Sequence, residues 1–226
     1  MAFDFYIKTK QDLIDAVEAF GIVPYFENSI PGFSIEEHVA PSAWFDGDRE
    51  GVWEWKGPVI RETGCAYGKF FERKAAFVRQ DIFADLANFR RDGYDFEGYF
   101  NDGYASLKDK ALYELVEANG PLLSKELKAL GNYRKGGAKG FDTCMNRLQS
   151  QCFVLISDFV YLKDRFGKEY GWGVAEYATP EQFMGPDFSA AVYRCDPKGS
   201  HARLMSHVCS LFPKASLEDV RRFLKP

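Results

Sequence analysis

The sequence is poor in histidine, with only His38, His201 and His207, and its five cysteines (Cys65, Cys144, Cys152, Cys195 and Cys209) include no C-x-x-C pair. An odd set of unpaired thiols argues against a disulfide framework, and the spacing of Cys195, His201, His207 and Cys209 differs from that of structural zinc sites. Neither redox chemistry nor a metal site is expected. No apolar run approaches the roughly 20 residues that span a bilayer, and Met1 to Lys10 lacks the basic start and apolar stretch of a signal peptide. A cytoplasmic location without a membrane partner is the resulting expectation. The chain also lacks G-x-x-x-x-G-K-[ST] and any strand followed by G-x-G-x-x-G. NTP and NAD chemistry are therefore disfavoured, no cofactor is expected, and no nucleophile elbow or metalloprotease motif surrounds the histidines. Fixed-period repeats and low-complexity tracts are missing, which excludes a solenoid.

What is present is a globular composition: 226 residues, 46% hydrophobic and 16% aromatic, with 21 Phe and 12 Tyr. That is enough for a sizeable core or an aromatic-lined groove. The net charge of -4 hides an asymmetry. Residues 1–104 hold 11 Lys and Arg against 19 Asp and Glu, whereas residues 105–226 hold 18 against 14. The second half is mildly basic, which suits an anionic partner but is weaker than the footprint of a dedicated nucleic-acid module.

Hydrophobic spacing predicts a helix over Lys10 to Phe20, capped by Thr9 and stopped by Gly21, and another over Arg79 to Arg90. Between Ile22 and Pro58 the prolines and glycines predict short strands and ordered loops. Cys65 to Val78 reads as one or two strands. Further on, Lys108 to Asn119, a short helix capped by Ser124, and Phe141 to Gln151 form three successive helices. The period then changes to two: Phe153 to Lys163 and Tyr170 to Tyr177 read as a hairpin. Thr179 and Pro180 open a compact helix, and His201 to Leu211 and Leu217 to Leu224, the latter capped by Ser216, form a terminal helical pair. Three helices followed by a hairpin is the order of a winged helix-turn-helix. The expected fold class is α+β, with an N-terminal mixed α/β region over 1–104, a winged helix-turn-helix over 105–185 and a C-terminal helical extension over 186–226 that packs against the winged helix.

Two sets of residues could meet an anionic partner. The loop Arg134-Lys135-Gly136-Gly137-Ala138-Lys139-Gly140 precedes the third helix, where free amides and the helix dipole favour a phosphate. Asn146, Arg147 and Gln149 on that helix are residue types that read base edges in a major groove. Lys163, Arg165 and Lys168 surround the hairpin tip, where a wing reaches a phosphate backbone. The bland alternatives are a solvated linker and an edge protected by lysines. A third set, Trp44, Phe45, Trp53, Glu54, Trp55, Glu62 and Tyr67, offers aromatic faces and carboxylates for holding an extruded base. Its alternative is that Trp53 and Trp55 share the core face of a strand while Glu54 meets solvent.

Trp53-Glu54-Trp55-Lys56, Cys65 to Phe71, Lys108-Asp109-Lys110, Gly120 to Leu127 and Arg147-Leu148-Gln149-Ser150-Gln151 together resemble the AlkZ-like family, winged-helix proteins related to alkylpurine DNA glycosylases. The resemblance covers about residues 50–185 and implies DNA as partner. Family glycosylases join several winged helices and use Gln-x-Gln or Gln-x-Asp with an apolar middle residue to position water. Here the chain is shorter and the middle residue, Ser150, is polar. The resemblance implies a catalytic pair, Gln149 and Gln151, orienting water without taking its proton. The leading expectation is a DNA-binding winged-helix protein in DNA repair, meeting duplex, including damaged duplex. Its alternatives are an active base-excision glycosylase with a base pocket at Trp53, Glu54, Trp55 and Tyr67, and a winged helix that binds protein and no nucleic acid.

Overall fold

The computed structural model describes residues 5–44 and 50–225. Thr9 accepts from the Asp12 amide and Asp12 bonds back to the cap, so α1 (Lys10–Phe20) opens with a capping box and stops at Gly21 in the left-handed region. β1 (Ile22–Pro24) follows, then two single-turn helices, α2 (Ile35–His38) and α3 (Pro41–Trp44). The short strand expected at Val52 to Trp55 is instead a turn feeding α4 (Lys56–Thr63). The turn forms because local partners close it: the Glu54 carboxylate accepts from the Gly51 amide at 2.9 Å, and the Tyr25 hydroxyl donates to the Val52 carbonyl.

β2 (Ala66–Phe71) and β3 (Lys74–Val78) form a hairpin, followed by α5 (Gln80–Arg91), α6 (Phe96–Asn101) and α7 (Leu107–Asn119). After α7 come β4 (Leu122–Leu123), α8 (Ser124–Leu130) and α9 (Phe141–Ser150), then a long hairpin of β5 (Leu155–Lys163) and β6 (Glu169–Ala178). α8 starts one residue earlier than its expected Ser124 cap, because the Glu126 carboxylate already accepts from the Leu123 amide at 3.2 Å. The chain ends with α10 (Pro180–Met184), α11 (Pro186–Val192), α12 (Pro197–Leu211) and α13 (Leu217–Leu224). α12 begins before the expected His201 because the Asp196 carboxylate caps the Lys198 and Gly199 amides.

The fold is α+β, as expected. Its strands form one antiparallel sheet in the order β1-β3-β2-β5-β6-β4, and the seam between the two halves is the pair Tyr67 and Ile156. The main core draws on α1, the β1-β3-β2 strands, α4, α5 and the terminal helices. A smaller core gathers Phe96, Leu112, Val116, Leu127, Phe141, Cys144, Met145, Leu148 and Phe153 from α6 to α9 and the residues just beyond.

The terminal helices do not pack against the expected winged helix. α12 lies along α5, and Phe223 of α13 stacks on Phe71 with ring centroids 4.3 Å apart and stands 5.0 Å from Phe33. The apolar stripe of Val220, Phe223 and Leu224 needs an aromatic surface to cover it, and the N-terminal half supplies that surface.

Candidate nucleic-acid interface

α9 packs into the smaller core, meets β2 through Gln149, and leaves one face outward. Gly140, with φ 97°, admits the turn into the helix; Phe141, Cys144, Met145 and Leu148 are buried, and Asp142, Thr143 and Arg147 are exposed. Arg134, Lys135 and Lys139 are exposed in the preceding loop, whose backbone is closed by the Ala138 amide donating to the Asn132 carbonyl at 2.7 Å.

The two glutamines have different fates. A register shift in β2 between Gly68 and Phe71 frees the Lys69 amide from the ladder, and that amide donates to Gln149 Oε1 at 3.1 Å. Gln149 Nε2 donates to the Met145 carbonyl at 3.1 Å, and the side chain is sealed between α9 and β2. Gly68 permits this approach: a Cβ there would stand 2.8 Å from the Phe70 ring and 3.1 Å from Gln149 Oε1. Gln149 therefore does not reach the outward face. Gln151, just past the helix end, does reach it, and its Oε1 is buried without a hydrogen-bond partner.

Arg147 is held from behind. Its Nη2 and Nε donate to Asp109 Oδ1 and Oδ2 at 2.7 and 3.1 Å, a two-point grip, while Asp109 also accepts from the Ser106 amide and hydroxyl at the start of α7. Burial alone would raise the Asp109 carboxyl, but the bonds from Arg147 and Ser106 outweigh it and hold the group below the usual carboxylate value. Arg147 is thus pre-oriented with about half its side chain still in solvent.

Two adjoining hollows flank Arg147 and Gln151. The first is an open cleft of about 330 Å³ lined by Arg73, Thr143, Asn146, Arg147, Ser150 and Gln151. The second is a small aromatic recess of about 70 Å³ beside Phe96, Tyr99, Tyr104 and Phe153, which also touches Asp109. Tyr99 is 5.3 Å from Tyr104 and 5.2 Å from Phe153 by ring centroids, and burial followed by the nearby Asp109 charge raises the Tyr99 hydroxyl. Sequence reasoning missed Arg73, Tyr99 and Tyr104; the available signal was the dense aromatic stretch from Tyr94 to Tyr104.

The structure does not gather Trp53, Glu54, Trp55 and Tyr67 around a comparable recess. Trp55 and Tyr67 are in the main core, and Trp53 joins a cluster with Tyr25, Phe26 and Trp44. Glu54 lines a different, wide cleft with Glu50, Arg61 and Asp158, across the sheet from α9. Phe45 lies outside the described residues. Lys56 Nζ lies 4.8 Å above the Trp53 ring and 4.4 Å above Phe159, and burial pulls its amine down to about 8.

The β5-β6 hairpin projects from the sheet, with Lys163, Arg165 and Lys168 exposed at its end beside Phe166, Tyr170 and Trp172. Among the described residues no cluster of His, Cys, Asp and Glu has metal-site geometry, and no helix is long and apolar enough to cross a membrane. Of the imagined zinc set, His207 bonds the Phe20 carbonyl at 2.8 Å and His201 stacks on Phe89.

The chain is thus an α+β protein with an arginine-lined cleft, an adjoining aromatic recess and an exposed basic hairpin end. The profile of the family described as AlkZ related matches residues 7–225, nearly the entire chain, and the protein belongs to that family. Membership relates it to DNA glycosylase and DNA-repair proteins. No curated protein and no solved structure matches the chain.

Proposed function

We propose that this protein binds duplex DNA as a winged helix, with α9 facing the major groove and the β5-β6 hairpin as the wing. The observation that carries the reading is the pairing of β4 with β6, Leu122 opposite Tyr177 and Leu123 opposite Glu176. It makes α7, β4, α8, α9, β5 and β6 a helix-strand-helix-helix-hairpin unit in which the first short strand closes onto the last, the arrangement that lets a winged helix present helix and wing together. Arg134, Lys135 and Lys139 then meet phosphates ahead of α9, Asn146 meets the groove, Arg147 meets the backbone at the groove's edge, and Lys163, Arg165 and Lys168 follow the backbone from the wing. Residues 105–185 act as the reading unit, with 1–104 and 186–226 as its support.

A second reading, hydrolysis of the N-glycosidic bond, draws support from Gln151. Its unpartnered oxygen stands between the cleft and the aromatic recess, where an extruded base would stack on Tyr99 and Tyr104. An oriented water would bond to C1′ as the carbon–nitrogen bond breaks, the base leaving with the bonding electron pair and taking up a proton. In this reading Gln151 faces the water and Gln149 fixes the helix that carries it.

The test is binding to fluorescent intact and abasic duplexes across a salt series, comparing the natural protein with a Lys139→Ala, Arg165→Ala variant. The variant is expected to bind more weakly and to lose about 2 from the magnitude of the salt slope, near one per phosphate contact. No duplex binding at low salt would overturn the reading and favour a protein partner for the basic face.

A further inference from the structure

Behind the wall of the α9 cleft lies a buried cation that no carboxylate among the described residues neutralises. Arg90, near the end of α5, is 4% exposed. Its Nη1 donates to the Ser150 carbonyl at 2.9 Å and lies 3.5 Å from the Ser150 hydroxyl, while Nε and Nη2 are buried without partners. Burial draws this guanidinium down to about 10, still charged at neutral pH. Arg91 next to it shows the contrast, since its Nη1 meets Glu181 at 2.6 Å and its Nη2 the Cys152 carbonyl at 2.6 Å. A desolvated charge without a counter-ion is costly to the fold, and its field is weakly screened where water is excluded.

Ser150 connects Arg90 to the cleft, because it also lines the cleft wall with Arg73 and Arg147. Arg73 makes no ion pair among the described residues, and no carboxylate lines the cleft. Arg73 also occupies an expensive place. It and Glu72 form the two-residue turn between β2 and β3 with φ of 60° and 47°, a conformation that favours Gly or Asn. Glu72 is pinned by the Ser29 amide at 3.1 Å, so the turn is held with its arginine toward α9. A strained position thus holds a charged side chain at the cleft whose Ser150 wall is backed by Arg90, and strain of this kind clusters at binding sites.

We infer that the cleft at the C-terminal end of α9 is a phosphodiester-binding subsite, with Arg73 and Arg147 gripping one backbone phosphate from two sides and Arg90 supplying charge from below through Ser150. It rests on the DNA-binding reading and deepens it. The subsite adjoins the aromatic recess through Gln151, so one held phosphate fixes the nucleotide whose base enters the recess. The cation behind Ser150 leaves the cleft with an excess of positive charge, which an anion bound there balances.

The experiment is a scan of duplexes in which single phosphates are replaced by neutral methylphosphonates, read as Kd for the natural protein, Arg73→Gly and Arg90→Met. For the natural protein, one linkage is expected to cost about tenfold when neutralised, the size of one charge-assisted contact. Arg73→Gly, whose residue suits the turn, is expected to fold at least as stably, to bind unmodified duplex more weakly and to lose its sensitivity at that linkage. Arg90→Met is expected to blunt the same linkage alone. A flat scan for the natural protein, or an unchanged penalty in Arg73→Gly, would overturn the subsite while leaving DNA binding intact. Failure of the natural protein to bind unmodified duplex would overturn both.

Discussion

At the end of α9, Gln149 has partners for its oxygen and its nitrogen, while Gln151 keeps a buried oxygen with none. Removing Gln149 leaves the Lys69 amide without its acceptor, and an unsatisfied buried donor costs more than the average hydrogen bond contributes. Gln149→Ala is therefore expected to lower stability by about 2 kcal/mol in urea denaturation. Gln151→Ala removes an acceptor already unsatisfied and should leave stability within about 0.5 kcal/mol of the natural protein, or raise it. If the protein releases bases from damaged duplex, single-turnover release should vanish in Gln151→Ala while binding to intact duplex persists. Equal stability losses in the two variants would refute this division of roles.

The element that positions the site is α9 seated on β2, and the seat depends on Gly68. The irregular register there both frees the Lys69 amide and removes the side chain that would meet Phe70 and Gln149. Gly68→Ala should cost about 1–3 kcal/mol through overpacking against a ring that has no room to retreat. Because the strain falls on the α9 contact, duplex affinity should fall along with stability. A fully stable Gly68→Ala variant with natural affinity would show that α9 does not depend on this seat. The outer end of the hairpin, residues 163–172, stands apart from that seat: it is exposed and draws its order from the pairing of β5 with β6.

For the molecule as a whole, the shared sheet and the terminal helices tie the acidic half to the basic half. β2 meets β5 at Tyr67 and Ile156, and Phe223 closes over Phe71 on the far side of the main core. Phe223→Ala removes a fully buried ring, a change that typically costs about 3–5 kcal/mol. Its effect should reach the α9 region through the sheet, so that tryptophan fluorescence and far-ultraviolet circular dichroism give one coincident unfolding curve at lower denaturant. Separate transitions would show residues 105–185 unfolding independently.

Local chemistry was legible in the sequence. Thr9, Thr179 and Ser216 cap the helices they precede, Gly21 stops α1, and the change of period after Gln151 marks the hairpin. These signals act within a few residues and need no distant partner. The docking of α13 and the burial of Gln149 were not legible, because each is decided by a surface far along the chain. The sequence by itself determined the α+β class, most of the helices, the long hairpin and the family resemblance that the profile match bears out. Only the tertiary structure decided that Gln151 rather than Gln149 faces the cleft, that Arg73 lines it, and that Tyr99 and Tyr104 line the recess beside it. Sequence periodicity reports which face of an element is apolar, whereas a site is made by which faces meet.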